Sequence, residues 1–227
     1  MMLRLDQLVR RGTFLLFCMV FVLGTAAAWA ETLKVVIVSE KPPAEVPVDI
    51  AAALSPATVS VVRDDAPLAQ FWLRETVPVR ADESVELGVA YTRLEEGTLL
   101  GVVRLAETWA DFKGKPVRPG VYALRYGLQL QDGNHMGASE YRDFLLLIPI
   151  AEARLLDAKL TTLDLIPLSR KASGTPHPSV LALVPCDNAA GSLVRNDHDQ
   201  WIYRQTLKTA RGPLPIAIVV WGKAAHE

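Results

Sequence analysis

Beyond residue 30, the soft ligand candidates are four histidines, His135, His177, His198 and His226, together with Cys186 and Met136. A metal site needs such residues at short spacings that bring them to one point, as in HxxxH or CxxC. No such spacing occurs in this sequence. A blue-copper centre needs Cys, His and Met close together in one loop, whereas Cys186 and His198 are twelve residues apart and Met136 lies upstream. The nearest approach to a ligand pair is Asp132 with His135, a carboxylate and an imidazole that copper or zinc could share. Asp132-Gly133-Asn134 also fits a plain turn, because these residues tolerate positive φ.

A second constellation gathers Ser169, Arg170, Lys171, Ser173, Thr175 and His177 around a helix end and a loop bracketed by Pro176 and Pro178. Loops carry binding residues more often than strands do. Arg170, Lys171 and His177 are therefore candidates for holding an anionic ligand. Basic residues in a last helical turn also complement the helix dipole, and that reading stays open beside the first. Nucleophilic catalysis finds no support, since there is no GxSxG elbow and no acid at diagnostic spacing from the serines near His177. Cys186, after an apolar run, fits a small buried hydrophobe. Asp197, His198 and Asp199 read as a solvated hairpin tip. Tyr122 with Tyr126, and Trp201 with Tyr203, make aromatic stripes that suit either a binding face or core packing.

The elements that must position these residues are strands. Period-two alternation predicts a strand from Val85 to Tyr91, with Thr98 to Leu105 as its hairpin partner across Glu95-Glu96-Gly97. Pro119-Gly120 opens the clearest strand. Tyr122, Leu124, Tyr126, Leu128 and Leu130 share one face, and Ala123, Arg125, Gly127 and Gln129 the other. Phe144 to Ile148 is apolar on both faces and reads as a central strand. Further strands are expected at Leu33–Val38, Thr58–Arg63, Leu68–Leu73, Ser192–Arg195, Gln200–Leu207 and Pro213–Trp221. Pro42, Pro43 and Pro47 make an extended or looped connection. One short helix is expected near 165–173, with Asp164 as N-cap, Pro167 in its first turn and Gly174 just past its end. The predicted fold class is all-β, an immunoglobulin-like antiparallel β-sandwich with additional C-terminal strands. Its core spans about residues 57–150; an extension over 151–227 either packs on it as extra strands, the preferred reading, or forms a small second lobe.

The compartment is written in the first thirty residues. Arg4, Arg10 and Arg11 precede ten apolar residues, Phe14 to Leu23, and Ala28-Trp29-Ala30 supplies small residues for a signal peptidase. A bilayer-spanning helix needs about 20 apolar residues, so a cleavable signal fits better than an anchor. Cleavage after Ala30 would leave a single domain over 31–227 and remove Cys18. It would also remove three arginines and Asp6, moving the formal charge from −1 to −3. The chain has 24 Lys+Arg against 25 Asp+Glu, which excludes the clustered basic excess of a nucleic-acid binder. Half of its residues are hydrophobic, which excludes a disordered tail. No membrane span is expected after cleavage.

Pro119-Gly120-Val121-Tyr122, the turn Asp132-Gly133-Asn134-His135 and Phe144 to Leu147 together resemble the last hairpin of the periplasmic copper carriers of the CopC type. In that family a turn histidine and an N-terminal histidine bind Cu(II), so the resemblance implies a metal site at Asp132 and His135. Here Asn134 precedes the turn histidine, and Glu31 would begin the mature chain. More of the chain, including Arg142-Asp143-Phe144 and Ser169 to Pro178, resembles a group of exported bacterial β-sandwich proteins; that likeness implies compartment and fold. The first functional expectation is a non-enzymatic exported protein that binds a ligand or partner component of the cell envelope. A periplasmic metal-binding protein is the alternative, and a hydrolase with an unrecognised site the weaker one.

Overall fold

The strand-forming runs pair along the chain in the computed structural model of this protein, which describes residues 32–82, 85–131, 139–153, 155–187 and 191–222. Residues 1–30, expected to form a signal segment, and the expected metal ligands Asp132 and His135 lie outside these residues. The described strands are β1 (Leu33–Ser39), β2 (Leu54–Arg63), β3 (Ala66–Arg74), β4 (Thr76–Val77), β5 (Leu99–Leu105), β6 (Trp109–Ala110) and β7 (Pro116–Val117). Then come β8 (Gly120–Leu128), β9 (Asp143–Pro149), β10 (Val180–Val184), β11 (Ser192–Arg195), β12 (Trp201–Thr209) and β13 (Leu214–Trp221). Two α-helices accompany them, α1 (Val48–Ala53) and α2 (Thr162–Ser173). The fold is all-β, as the alternation predicts.

Hydrogen bonding runs unbroken through one sheet in the order β1-β2-β3-β5-β8-β9-β10-β13-β12-β11, with β4 beside β12. The end strands β1 and β11 approach each other, so the sheet curls around its own interior. This continuity was not anticipated in the sequence. Strands β10 to β13 extend the same ladder, and residues from Thr32 onward belong to one compact unit.

Alternate residues of the central strands serve two apolar clusters. Tyr122, Leu124 and Tyr126 of β8, with Leu145 and Leu147 of β9, enter the interior of the curl. Val121 and Ala123, with Phe144, Leu146 and Ile148, enter a second cluster on the opposite face, which Ile50 of α1 and Leu165 of α2 cover. β9 lies between β8 and β10, the central place that its unbroken apolar run predicts. Asp64 and Asp65 connect β2 to β3 with φ of 50° and 63°. That is the two-residue hairpin with positive φ at both central positions, whose twist matches the strands.

Two expectations are corrected. Val85 to Tyr91 forms no strand, and Val85 and Leu87 are exposed. β5 already has β3 on one edge and β8 on the other, so the expected hairpin partner has no free edge. The helix is longer than 165–173, and it begins one turn earlier than expected. Thr161 is the N-cap: its hydroxyl accepts from the Asp164 amide, while the Asp164 carboxylate accepts from the Thr161 amide at 2.9 Å. Asp164 is the reciprocal member of this capping box, and Pro167 falls in the second turn. Gly174 ends the helix at φ 68°, donating to the Arg170 carbonyl at 2.9 Å. Helix α1 was not expected. It is short and follows Pro47, which fits a helix start because its missing N–H costs no helical bond.

Candidate functional site: a cleft beneath helix α2

Helix α2 is fastened to the sheet at both ends. At its start the Thr162 amide donates to Glu96 at 2.7 Å, and the Thr162 hydroxyl accepts from the Leu128 amide at 2.9 Å. At its end the buried Ser169 hydroxyl donates to the Ser179 carbonyl at 2.9 Å and accepts from the Ser179 amide at 3.0 Å. Gly127 permits the close approach, because a Cβ there would lie 2.5 Å from Leu146 Cδ1 and 2.9 Å from Thr162 Oγ1. Between these fastenings the helix bridges a gap. A cleft of about 510 Å³ opens there, with Phe144, Leu146, Ile166 and Val180 among its apolar lining.

The basic residues of this cleft are concentrated where α2 ends, whereas its uncharged polar residues, Thr162 and Gln129, belong to the other end. Arg170 from the last turn, His177 from the exit loop and Lys113 from the connection between β6 and β7 all line it. The lining contains no Asp or Glu. Among the described residues, neither Arg170 nor Lys113 makes an ion pair, and the His177 imidazole has no hydrogen-bond partner. The exit loop is held by its own hydroxyls: Ser173 Oγ lies 2.9 Å from Thr175 Oγ1 and 3.1 Å from the His177 carbonyl, and Thr175 Oγ1 accepts from the His177 amide. Ser173 and Thr175 therefore shape the loop rather than face a ligand.

Lys113 is positioned by a buried acid. Asp111 Oδ1 accepts from the amides of Lys113 and Lys115 at 3.0 and 2.7 Å. Burial pushes the Asp111 carboxyl above its ordinary range, and those amide bonds oppose the rise. The Phe112 amide donates to the Val180 carbonyl at 3.1 Å, and the Phe112 ring meets Phe144 edge-on at 5.8 Å. These contacts bring the 111–115 turn to the mouth of the cleft.

Of the ligand residues expected from the sequence, Arg170 and His177 meet at this cleft. Lys171 does not join them; it points to Glu152, 2.7 Å away. Successive residues on a helix are about 100° apart, so Arg170 and Lys171 face different neighbours. Asp132 and His135 lie outside the described residues, as does His226. Among the described residues no group of three or more His, Cys, Asp or Glu could hold a metal ion. His198 sits at the β11–β12 hairpin tip, where Asn196 Oδ1 accepts from the amides of His198 and Gln200. Tyr122, Tyr126 and Tyr203 are core residues, and Cys186 is half-buried.

Asp143 and Arg125 are buried, which the sequence reading did not foresee. Asp143 is fully buried, and its oxygens accept from the amides of Ala90 and Tyr91 at 2.8 and 3.0 Å and from the Tyr126 hydroxyl at 2.6 Å. Arg125 is 1% exposed and donates to the carbonyls of Gly97 and Leu155 at 2.7 and 2.8 Å. Both tie loops to the sheet, and neither lines the cleft. A second hollow of about 420 Å³ lies between Arg74, Glu95, Asp157 and Lys159. Its charges neutralise one another, as Arg74 pairs with Asp157 at 3.0 Å and Lys159 with Glu95 at 3.1 Å. Of these two hollows, the cleft under α2 is the one lined by a single sign of charge. No helix among the described residues is long and apolar enough to cross a membrane. No family model, curated protein or solved structure matches the chain.

Proposed function

We propose that this protein is a non-enzymatic binding protein of the bacterial cell envelope that holds a small ligand in the cleft beneath α2. One observation carries the reading: a largely apolar cleft of about 510 Å³, with its basic groups gathered at one end. Ligand sites are commonly about 300–1,000 Å³, mostly apolar, with a small number of polar groups that fix orientation. The lining offers shape and charge rather than a nucleophile with its base; the Thr162 hydroxyl is occupied by the Leu128 amide. The envelope location rests on the arginines, apolar run and Ala-x-Ala pattern of the first thirty residues.

Titration of the purified protein with the neutral fluorophore N-phenyl-1-naphthylamine tests this. Saturable one-to-one uptake, abolished by Ile166→Trp with the melting temperature retained, supports the reading. Absence of saturable uptake, or uptake indifferent to Ile166→Trp, contradicts it.

A further inference from the structure

We propose that the ligand of the α2 cleft is a single-chain amphiphile with one carboxylate, of the fatty-acid class. This rests on the cleft being the binding site. The reasoning begins with the cleft's two unlike ends. Thr162 lies at the start of α2 and Arg170 eight residues later, a rise of about 12 Å along the helix. Near Thr162 the lining is Gly127, Leu128, Gln129 and Leu130, which carry no charge; Ile166 stands midway. At the far end Arg170, Lys113 and His177 converge, without an acidic residue anywhere in the lining.

Such a gradient fits a molecule that is apolar along its length and anionic at one tip. A neutral apolar ligand would leave the Arg170 guanidinium beside it with no acidic group in the lining to meet it. A cation would be repelled at that end, and a compact anion would leave the apolar wall unfilled. Arg170 has the planar fork that accepts a carboxylate in two parallel hydrogen bonds. The formal charge of the chain is −1, so this positive spot is local and not a consequence of a basic surface.

Displacement of bound N-phenyl-1-naphthylamine separates the alternatives. Octanoate, decanoate, decanol and decyltrimethylammonium compete in parallel against the protein and its Arg170→Met and Lys113→Met variants. Both substituted residues are exposed, so folding is not at stake, and a retained melting temperature verifies it. The expected result is that decanoate displaces the probe at least tenfold better than decanol, and that decyltrimethylammonium is weakest. Decanoate should exceed octanoate by about fourfold per methylene, the value of one buried CH₂. Arg170→Met should weaken decanoate about tenfold or more, as loss of a hydrogen bond to a charged group does, and leave decanol unchanged. If the probe binds but decanol competes as well as decanoate, the carboxylate assignment is overturned while the binding function stands. Competition by a short apolar peptide with a free C-terminus, where decanoate fails, would overturn it in favour of a peptide. Failure of the probe itself to bind would overturn both readings.

Discussion

Asp143→Ala removes the acceptor that holds the long connection between β4 and β5 against the sheet. Three donors point at the Asp143 oxygens, the amides of Ala90 and Tyr91 and the hydroxyl of Tyr126. Tyr91 and Tyr126 are themselves buried, at 4% and 1% exposure, so water cannot readily replace the lost partner. Hydrogen bonds to a charged group contribute about 1.5–3 kcal/mol each. Three would sum to more than the variant loses, because removing the carboxylate also relieves its own desolvation. The expected net loss is about 3–5 kcal/mol, the range for stripping one member from a buried charged network, set against a domain stability of about 5–15 kcal/mol. Tyr126→Phe removes one of the three bonds and should cost about 1–2 kcal/mol. The double variant should lose less than the sum, since the two changes delete the same bond. Equilibrium urea unfolding at pH 7 measures all three variants. A loss below about 1 kcal/mol for Asp143→Ala, at unchanged m-value, would refute the view that this carboxylate anchors the loop.

Other perturbations follow the same logic. Replacing Asp64-Asp65 by Asn-Gly should stabilise the β2–β3 hairpin by about 0.5–1 kcal/mol in a urea melt, because both positions have positive φ; the exposed Lys34–Asp65 pair at 4.0 Å contributes little against this. Gly127→Ala should cost about 1–3 kcal/mol by overpacking Leu146 and Thr162, and less in a Thr162→Ala background. Burial raises the phenol pKa of Tyr91, Tyr126 and Tyr203, the last pushed up to about 12. Above about pH 10 the unfolded chain ionises its tyrosines while the folded chain keeps them protonated, so the unfolded state binds fewer protons and stability falls. The contribution is fully present below pH 10. It should be lost at up to about 1.4 kcal/mol per pH unit for each of the three phenols, seen as a declining urea midpoint between pH 10 and 11.5. A midpoint independent of pH over that interval would remove the assignment.

The parts of the fold that could be read from residues are those governed by local pattern. The two faces of β8, the central position of β9, the Gly174 stop and the Asn196 hairpin tip each follow from side-chain period or turn chemistry. The segment from Val85 to Tyr91 misled because alternation describes a strand without counting the edges available to pair with it. The N-cap was misplaced although its signal was present: Thr161 stands three residues before Asp164, the spacing of a capping box. Alternation places Arg125 on one face of β8 and leaves Asp143 just before the apolar run Phe144 to Ile148, without showing that either is buried. Their burial depends on Gly97, Leu155, Ala90 and Tyr91, which are distant in sequence. At the site, Arg170 and His177 were legible because a helix end and a proline-bracketed loop concentrate them. Lys113 was not, since the turn built on Asp111 reaches the cleft only through β10 and the Phe112–Phe144 contact. Lys171 could have been separated from Arg170 by helical geometry alone.

The central claim is that the cleft under α2 binds the ligand, and backbone amide spectra recorded during a decanoate titration address it most directly. Saturable shifts should concentrate at Lys113, Gly127 to Leu130, and Ile166 to His177, and should be lost in Ile166→Trp. Shifts centred instead on Arg74, Glu95 and Lys159, or scattered without saturation, would contradict it.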